Sequence, residues 1–332
     1  MTGKFQISES QDANASQDER QVFIQDVLSG LSKINKQIPS KYFYDERGSK
    51  LFNEITRHPD YYLTGCELEI LNTYKKELSQ VLTGTSFNLI ELGPGEGIKT
   101  QLLIEQFLDD SLSFTYFPID ISKEFLEQLI HQFNHQFPEL EATALNSDYL
   151  SGIKAISSRS ERRNVVLFLG SSIGNFDLKA AEKFLQQIAS ALNPGDFLLI
   201  GFDLRKDVDI LLRAYNDQDG LTRQFNLNLL RRINEELGGH FKMATFTHYG
   251  SYNVYSGAME SYLLSREEQT VPIDALEKTF TFKEFEPIYV ECSQKYRLSD
   301  IKDLAQYSNF TIINHFKDSR NYFLNSLWQV CS

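Results

Sequence analysis

The sequence predicts an α/β fold: a doubly wound, mostly parallel sheet that ends in an antiparallel hairpin, joined to a smaller α+β unit. Three observations carry this. Between residues 87 and 203, short apolar runs alternate with helical patterns. After Leu204 the alternation stops. The chain closes with two extended runs about a short polar turn.

The first residues, to about Gln17, are rich in Ser, Gln, Asn and Asp, which predicts a disordered tail over 1–17. From Glu19, Val22, Ile24, Val27, Leu31 and Ile34 recur mostly at three- and four-residue spacing, so an amphipathic helix is expected. Aromatics then crowd KYFYDERGSKLFNEITRHPDYYLT, an unusual content for a linker. The runs FNLIEL, SFTYFPID, ATALNSD, NVVLFLG and DFLLIGFD read as buried strands. KTQLLIEQFL, SKEFLEQLIHQF and KAAEKFLQQIASAL read as the helices among them, and NPGD as the turn before the last strand. Beyond Leu204, DVDILLRAY and TRQFNLNLLRRINEELG are helical. Residues 241–296, rich in Tyr, Phe, Thr and Val, read as antiparallel strands. SDIKDLAQYS is a last helix, and FTIINHF and YFLNSLWQV form the closing hairpin. The predicted division assigns 18–64 and 205–292 to the smaller, substrate-binding unit, and 65–204 and 293–332 to the sheet unit.

The 332 residues, 41% of them hydrophobic, suffice for one large core or two smaller ones. A net charge of −12 argues against a nucleic-acid binder, which needs Lys and Arg to displace counterions, and against anionic membrane surfaces. Cys66, Cys292 and Cys331 are too few and scattered for a disulfide framework or a zinc site, which points to a reducing, cytoplasmic setting. No secretory h-region opens the chain, and no apolar run approaches the roughly 20 residues that span a bilayer. His131 and His135 lie four apart without a third ligand nearby, so no metal is expected. The absence of a long exposed apolar stripe predicts a monomer.

LIELGPGEGIKT, residues 89–100, is the densest motif. A phosphate-binding P-loop needs glycine before its lysine, but Ile98 precedes Lys99. Gly93, Gly95 and Gly97, following Glu91, suit a tight strand-to-helix turn that a ligand approaches closely; alone they also suit a turn with no ligand. Two further acids change the balance. Asp120 ends the second apolar run, where a carboxylate accepts ribose hydroxyls. Asp148 ends the third, where it can accept from an adenine amino group while Tyr149 packs on the ring. Acids in order at the carboxyl ends of one sheet predict an adenosyl crevice. The glycine spacing and the terminal hairpin, a mark of class I methyltransferases, favour S-adenosylmethionine over NAD. The expected cofactor residues are Glu91, Gly93, Gly95, Gly97, Lys99, Asp120, Asp148 and Tyr149.

Longer strings carry a sharper likeness. KYFYDERGSKLFNEITRHPDYYLT, ELGPGEGIKT, FLGSSIGNF, AYNDQDGLTRQFNLNLLRRINEELG and ECSQKY, at consistent separations, resemble the S-adenosylmethionine-dependent histidine Nα-methyltransferases of the ergothioneine pathway. The likeness covers nearly the whole chain after the tail. It implies a Rossmann-like class I methyltransferase domain that carries a substrate domain built from the N-terminal segment and an insertion. It also implies three successive methylations of the α-amine of histidine, giving trimethylhistidine (hercynine) and S-adenosyl-L-homocysteine, with no metal.

By the same resemblance, Asn175 and Tyr215 hold the substrate α-carboxylate. Tyr44, Phe52, Tyr61 and the backbone of Gly170 form the pocket near the amine and ring. Glu291 and Ser293 read the imidazole. These residue types suit the chemistry. The enzyme has to present a neutral amine at near-attack distance, and no covalent nucleophile is required. Water or a tyrosine–water chain through Tyr44 or Tyr61 can take the protons. Aromatic faces attract the quaternary ammonium that forms. On composition alone, Tyr44 and Tyr61 also fit ordinary buried aromatics, and Asn175 a turn.

One position departs from the pattern. Family members usually place methionine after the glutamate that matches Glu260; here Ser261 follows, so that wall of the side-chain pocket is smaller and more polar. Two alternatives stay open on sequence: another aromatic amino acid, such as a tryptophan derivative, and a non-catalytic protein that binds the cofactor as sensor or scaffold.

Overall fold

The computed structural model describes residues 6–9 and 15–331. In chain order the elements are β1 (Gln6–Glu9), α1 (Ala15–Leu31), α2 (Glu46–Arg57), α3 (Tyr62–Val81), β2 (Phe87–Leu92), α4 (Ile98–Asp109), β3 (Phe114–Asp120), α5 (Lys123–Gln136), β4 (Glu141–Asn146), α6 (Tyr149–Ser157), β5 (Arg163–Phe168), α7 (Leu178–Ala191) and β6 (Phe197–Asp203). There follow α8 (Val208–Tyr215), α9 (Leu221–Leu237), β7 (Phe246–Asn253), β8 (Ala258–Ser265), β9 (Gln269–Ile273), β10 (Lys278–Phe282), β11 (Pro287–Gln294), α10 (Leu298–Tyr307), β12 (Phe310–Lys317) and β13 (Phe323–Val330). The chain divides into two compact units: one of β1, Gly65–Leu204 and the chain from Tyr296 onward, the other of the chain from α1 to Thr64 with Arg205–Lys295.

The first unit holds an eight-stranded sheet in the order β1-β4-β3-β2-β5-β6-β13-β12. The strands from β1 to β6 pair in parallel, and β13 runs antiparallel to both β6 and β12. This is the class I methyltransferase arrangement. Strand order reverses between β2 and β5, the switch point at which open α/β sheets bind ligands. Every residue of β2 is buried, because a central strand is covered on both faces. β13 is buried at every residue but Gln329, and Trp328 packs on Phe202 and Phe310. β12, at the edge, is largely exposed and carries a register shift between Ile312 and Asn314, which suits an edge protected from further pairing.

The turns out of the strands are built by caps. Ser122, Asp148 and Asp177 each accept a backbone N–H in the first turn of α5, α6 and α7. Gly97 precedes α4 at φ 70°, and a Cβ there would lie 2.5 Å from Leu129 Cδ1 and 2.7 Å from Phe133 Cζ. Glycine is therefore required by both conformation and space.

The second unit packs helices α1, α2, α8 and α9 with a three-stranded sheet (β11-β8-β7) and a two-stranded one (β10-β9). Its core includes Phe23, Val27, Phe43, Leu229, Ile233, Phe246, Leu263 and Phe282.

Four expectations are corrected. The tail expected over 1–17 is structured at Gln6–Glu9, which pairs with β4, and from Ala15, where α1 begins; residues 1–5 and 10–14 lie outside the described residues. In α1 the inward face is Phe23, Ile24, Val27 and Leu31, whereas Val22 is half exposed and Ile34 lies beyond the helix in solvent. A helix that the periodicity did not announce, α6, follows Asp148. The division falls after Lys295 rather than Cys292, because β11 stays paired with β8 as far as Gln294 and Ala258.

Candidate active site

In the first unit, expected site residues lie at the carboxyl ends of four neighbouring strands: the cofactor residues Asp148 after β4, Asp120 on β3 and the glycine loop after β2, and then Gly170, expected at the substrate, after β5. Strands lie about 4.8 Å apart, so this row spans about 14 Å. Gly93, Gly95 and Gly97 all have positive φ, at 67°, 55° and 70°. A Cβ on Gly93 would stand 2.7 Å from the Tyr149 hydroxyl, so only glycine lets that ring lie across the loop. Burial pushes the Asp120 carboxyl up from its usual value, against bonds from the Ser122 and Ile121 backbone. One oxygen of Asp148 caps α6 by accepting from Ser151 N–H at 3.0 Å, and further hydrogen bonds from the first turn of α6 hold its carboxyl below the usual value against the effect of burial. A glycine cradle, an acid at the ribose position and an acid beside an aromatic ring fit an adenosyl cofactor.

Glu91 has partners other than those expected. Both its oxygens are engaged inside the fold, one by the Thr100 hydroxyl and one by the Tyr116 hydroxyl, and burial raises its pKa. It ties α4 and β3 to the end of β2 and so sets the loop from below. Glu67, on α3, was not anticipated. It is wholly buried, and its carboxylate accepts from Lys99 Nζ at 2.7 Å, from Gly170 N–H at 2.8 Å and from Asn325 Nδ2 at 3.2 Å. Lys99 and the loop after β5 are thereby held to one anchor. Asn175, also expected at the substrate, is exposed at the end of a short 3-10 turn, Ser172–Asn175. That turn is fixed by Tyr296 O–H donating to the Ile173 carbonyl at 3.0 Å.

The second unit brings together the remaining expected residues. Tyr44 meets Phe52 edge-on at 5.6 Å between ring centroids; Phe52 meets Tyr61 at 6.2 Å, and Tyr61 meets Tyr215 at 6.4 Å. Phe225 of α9, which no motif flagged, packs on both Tyr44 and Phe52. Tyr215, ending α8, reaches Ser293 with hydroxyl oxygens 2.7 Å apart, and its carbonyl accepts from His248 Nε2–H at 2.9 Å. Glu291 and Ser293 share one face of β11, as alternation requires. Opposite them on β8, Ser261 pairs with Glu291 and donates to its Oε2 at 3.3 Å. Burial pushes the Glu291 carboxyl up to about 7, against the pull of the Ser261 hydroxyl and the Lys295 charge. Yet Glu291 keeps some solvent exposure. One turn apart on α9, Thr222 Oγ1 and Asn226 Oδ1 are buried with no hydrogen-bond partner among the described residues.

His131 and His135 meet edge-on, with ring centroids 4.8 Å apart, on the exposed side of α5. Among the described residues, no group of three His, Cys, Asp or Glu side chains is placed to hold a metal, and no helix is long and apolar enough to cross a membrane.

Comparison with known proteins bears on this arrangement. The chain is 36% identical over 276 residues to the histidine N-alpha-methyltransferase of Mycolicibacterium smegmatis, covering 83% of this chain and 85% of that protein. It is 30% identical over 291 residues to ergothioneine biosynthesis protein 1 of Schizosaccharomyces pombe, covering 85% of this chain and 37% of that longer protein. It is 27% identical over 290 residues to a 4-dimethylallyltryptophan N-methyltransferase of Claviceps fusiformis, covering 81% of each. The family model for "histidine-specific methyltransferase, SAM-dependent" matches residues 23–330. With a methyltransferase sheet, an adenosyl cradle and that match over nearly its whole length, the chain belongs to the S-adenosylmethionine-dependent, histidine-specific methyltransferases.

Proposed function

We propose that this enzyme methylates the α-amino group of L-histidine three times in succession, giving trimethylhistidine. Family membership supports the donor and the substrate class. The observation that carries the amino-acid assignment is the face of β11 that bears Glu291 and Ser293. Same-face neighbours on a strand stand about 7 Å apart. Glu291 there offers an acceptor for an imidazole N–H, and the Ser293–Tyr215 pair offers hydroxyls at the distance of a carboxylate in the same small molecule.

When bound, S-adenosylmethionine supplies a methyl carbon already activated by its sulfonium. The chain has to hold and orient. Asp120 would accept the ribose hydroxyls, Asp148 would accept from the adenine amine beside Tyr149, and the positive φ of Gly93, Gly95 and Gly97 would let backbone approach. Lys99, steered by Glu67, meets the carboxylate end of the cofactor. In the second unit, Tyr215 is the residue that the resemblance assigns to the substrate carboxylate. The Gly170 N–H is taken by Glu67, so the carbonyl is the backbone group it has left to offer a ligand. Tyr44, Phe52 and Tyr61 present aromatic faces to the cationic product, and the hydroxyls of Tyr44 and Tyr61 pass protons to water. Ser261 gives the imidazole-reading acid a hydrogen-bond donor in place of a thioether wall. Arg205–Lys295 and the chain up to Thr64 serve as the substrate-binding unit.

We read the enzyme as a cytoplasmic monomer. Its three free cysteines suit a reducing compartment, and size-exclusion chromatography tests the oligomeric state. The deciding experiment is mass spectrometry after incubation with S-adenosylmethionine and a mixture of free amino acids. Gains of one, two and three methyls on histidine are expected. Gains on tryptophan alone would replace histidine with an aromatic alternative, and cofactor binding without turnover would mean a sensor.

A further inference from the structure

Three groups meet at one corner of the second unit. Lys295 Nζ donates to Tyr215 Oη at 2.7 Å and to Ser293 Oγ at 2.8 Å, and the two hydroxyl oxygens are themselves 2.7 Å apart. Lys295 is fully buried, and its Nζ lies 4.6 Å from the centroid of the Tyr215 ring. Its backbone is clamped as well: the N–H donates to the Gly257 carbonyl at 3.1 Å, and the carbonyl accepts from Arg205 Nε at 3.3 Å.

An ammonium carries only donors, so both oxygens must turn a lone pair toward it. The two hydroxyls own two hydrogens, and their mutual bond uses one. The other is directed out of the triangle. A positive charge behind one outward O–H suits an anionic acceptor and disfavours an amide or a cation in the same place. Glu291, on the same face of β11 as Ser293, has the opposite character when ionised, with oxygens only to accept.

We propose that Lys295 is a positioning residue that makes the Tyr215–Ser293 pair a receptor for the α-carboxylate, and so sets the preference of the enzyme for a free amino acid over its amide, ester or peptide-linked form. The inference rests on the reading of this unit as the amino-acid site. It gives Lys295 a role that the sequence did not suggest. It also ties Ser293 to the carboxylate end as well as to the imidazole.

The test compares kcat/KM for histidine and histidinamide in the wild type, Lys295→Met and Lys295→Arg, with calorimetric binding of S-adenosylhomocysteine as a control on folding. Removing one partner of a buried charged hydrogen bond should lower kcat/KM for histidine by roughly 100-fold, mainly through KM. Turnover of histidinamide should change less than about threefold, so the preference for a carboxylate collapses. Lys295→Arg keeps the charge and should retain part of that preference. Equal losses on both substrates, or a preference that survives Lys295→Met, would overturn the proposal. If Lys295→Met loses S-adenosylhomocysteine binding and a cooperative melt, Ser293→Ala makes the same comparison. It removes one corner of the triangle, and a fall of about tenfold in the preference is expected. No change in that ratio would overturn the proposal equally. If the wild type methylates another amino acid, the histidine reading fails by itself, and the ratio is measured on that amino acid and its amide.

Discussion

The Lys99 ammonium lies 2.7 Å from a carboxylate oxygen of Glu67, and Glu67 is wholly buried. The same carboxylate takes the Gly170 N–H, so one side chain holds both the first turn of α4 and the loop after β5. Removing one partner from a buried pair leaves an uncompensated charge, at a cost of about 3–5 kcal/mol. Glu67→Gln should therefore lower the thermal midpoint, and should weaken S-adenosylhomocysteine binding about tenfold as Lys99 loses its position. Calorimetry and a thermal melt check this; unchanged cofactor affinity in a destabilised variant would reduce Glu67 to a structural part.

Glu291 predicts two pH dependences of opposite sign. Its pKa is pushed up to about 7, and it must be ionised to accept from imidazole. The kcat/KM for histidine should then fall as pH drops through about 7, and Glu291→Gln should flatten that limb while costing about 1–3 kcal/mol of histidine recognition. Stability runs the other way. A carboxyl raised in the folded state contributes stability that is fully present below its unfolded value and is lost as pH rises through about 7. Melting curves across that range should show the wild type losing ground to Glu291→Gln as pH rises.

Ser261 donates to Glu291 at 3.3 Å, and a bond to the charged form favours that form. Ser261→Ala should therefore move the acid limb of histidine turnover to higher pH, with little change in S-adenosylhomocysteine affinity. An unmoved limb would show that the hydroxyl serves only the shape of the pocket.

Two glycines separate strain from crowding. Gly97 and Gly195 have φ of 70° and 89°, but a Cβ meets Leu129 and Phe133 at the first and nothing within 4 Å at the second. Gly195→Ala should cost about 1 kcal/mol of backbone strain. Gly97→Ala should cost about 2–4 kcal/mol, because overpacking is added. Denaturant titrations of both variants check the difference.

Much of the first unit was legible in the residue string. FNLIEL and DFLLIGFD, buried on both faces, read as continuous apolar runs, and they coincide with β2 and β6 within a residue. Asp120 and Asp148 were legible as acids at strand ends, where the chain must turn. Other features were not. Glu91 looked like a ligand contact, but the alternation of a strand buried on both faces does not say which partner fills the space beside it; Thr100 and Tyr116 do. α6 opens directly on Asp148 and runs only nine residues, too short for a 3.6-residue period to declare itself. Lys295 sits in the polar string ECSQKY, where nothing local marks it as buried; its partner Tyr215 is 80 positions away.

By itself the sequence determined most of the alternation of strands and helices in the first unit, the glycines of the cofactor turn and the acids at strand ends, because each depends on residues within a turn or two of chain. The tertiary structure alone decided which polar side chains are anchors and which face a ligand. Glu67 meets Asn325 across 258 positions, and Ser261 meets Glu291 across 30. Such bonds form only where packing brings distant segments together and strips water from both partners, so no local pattern records them.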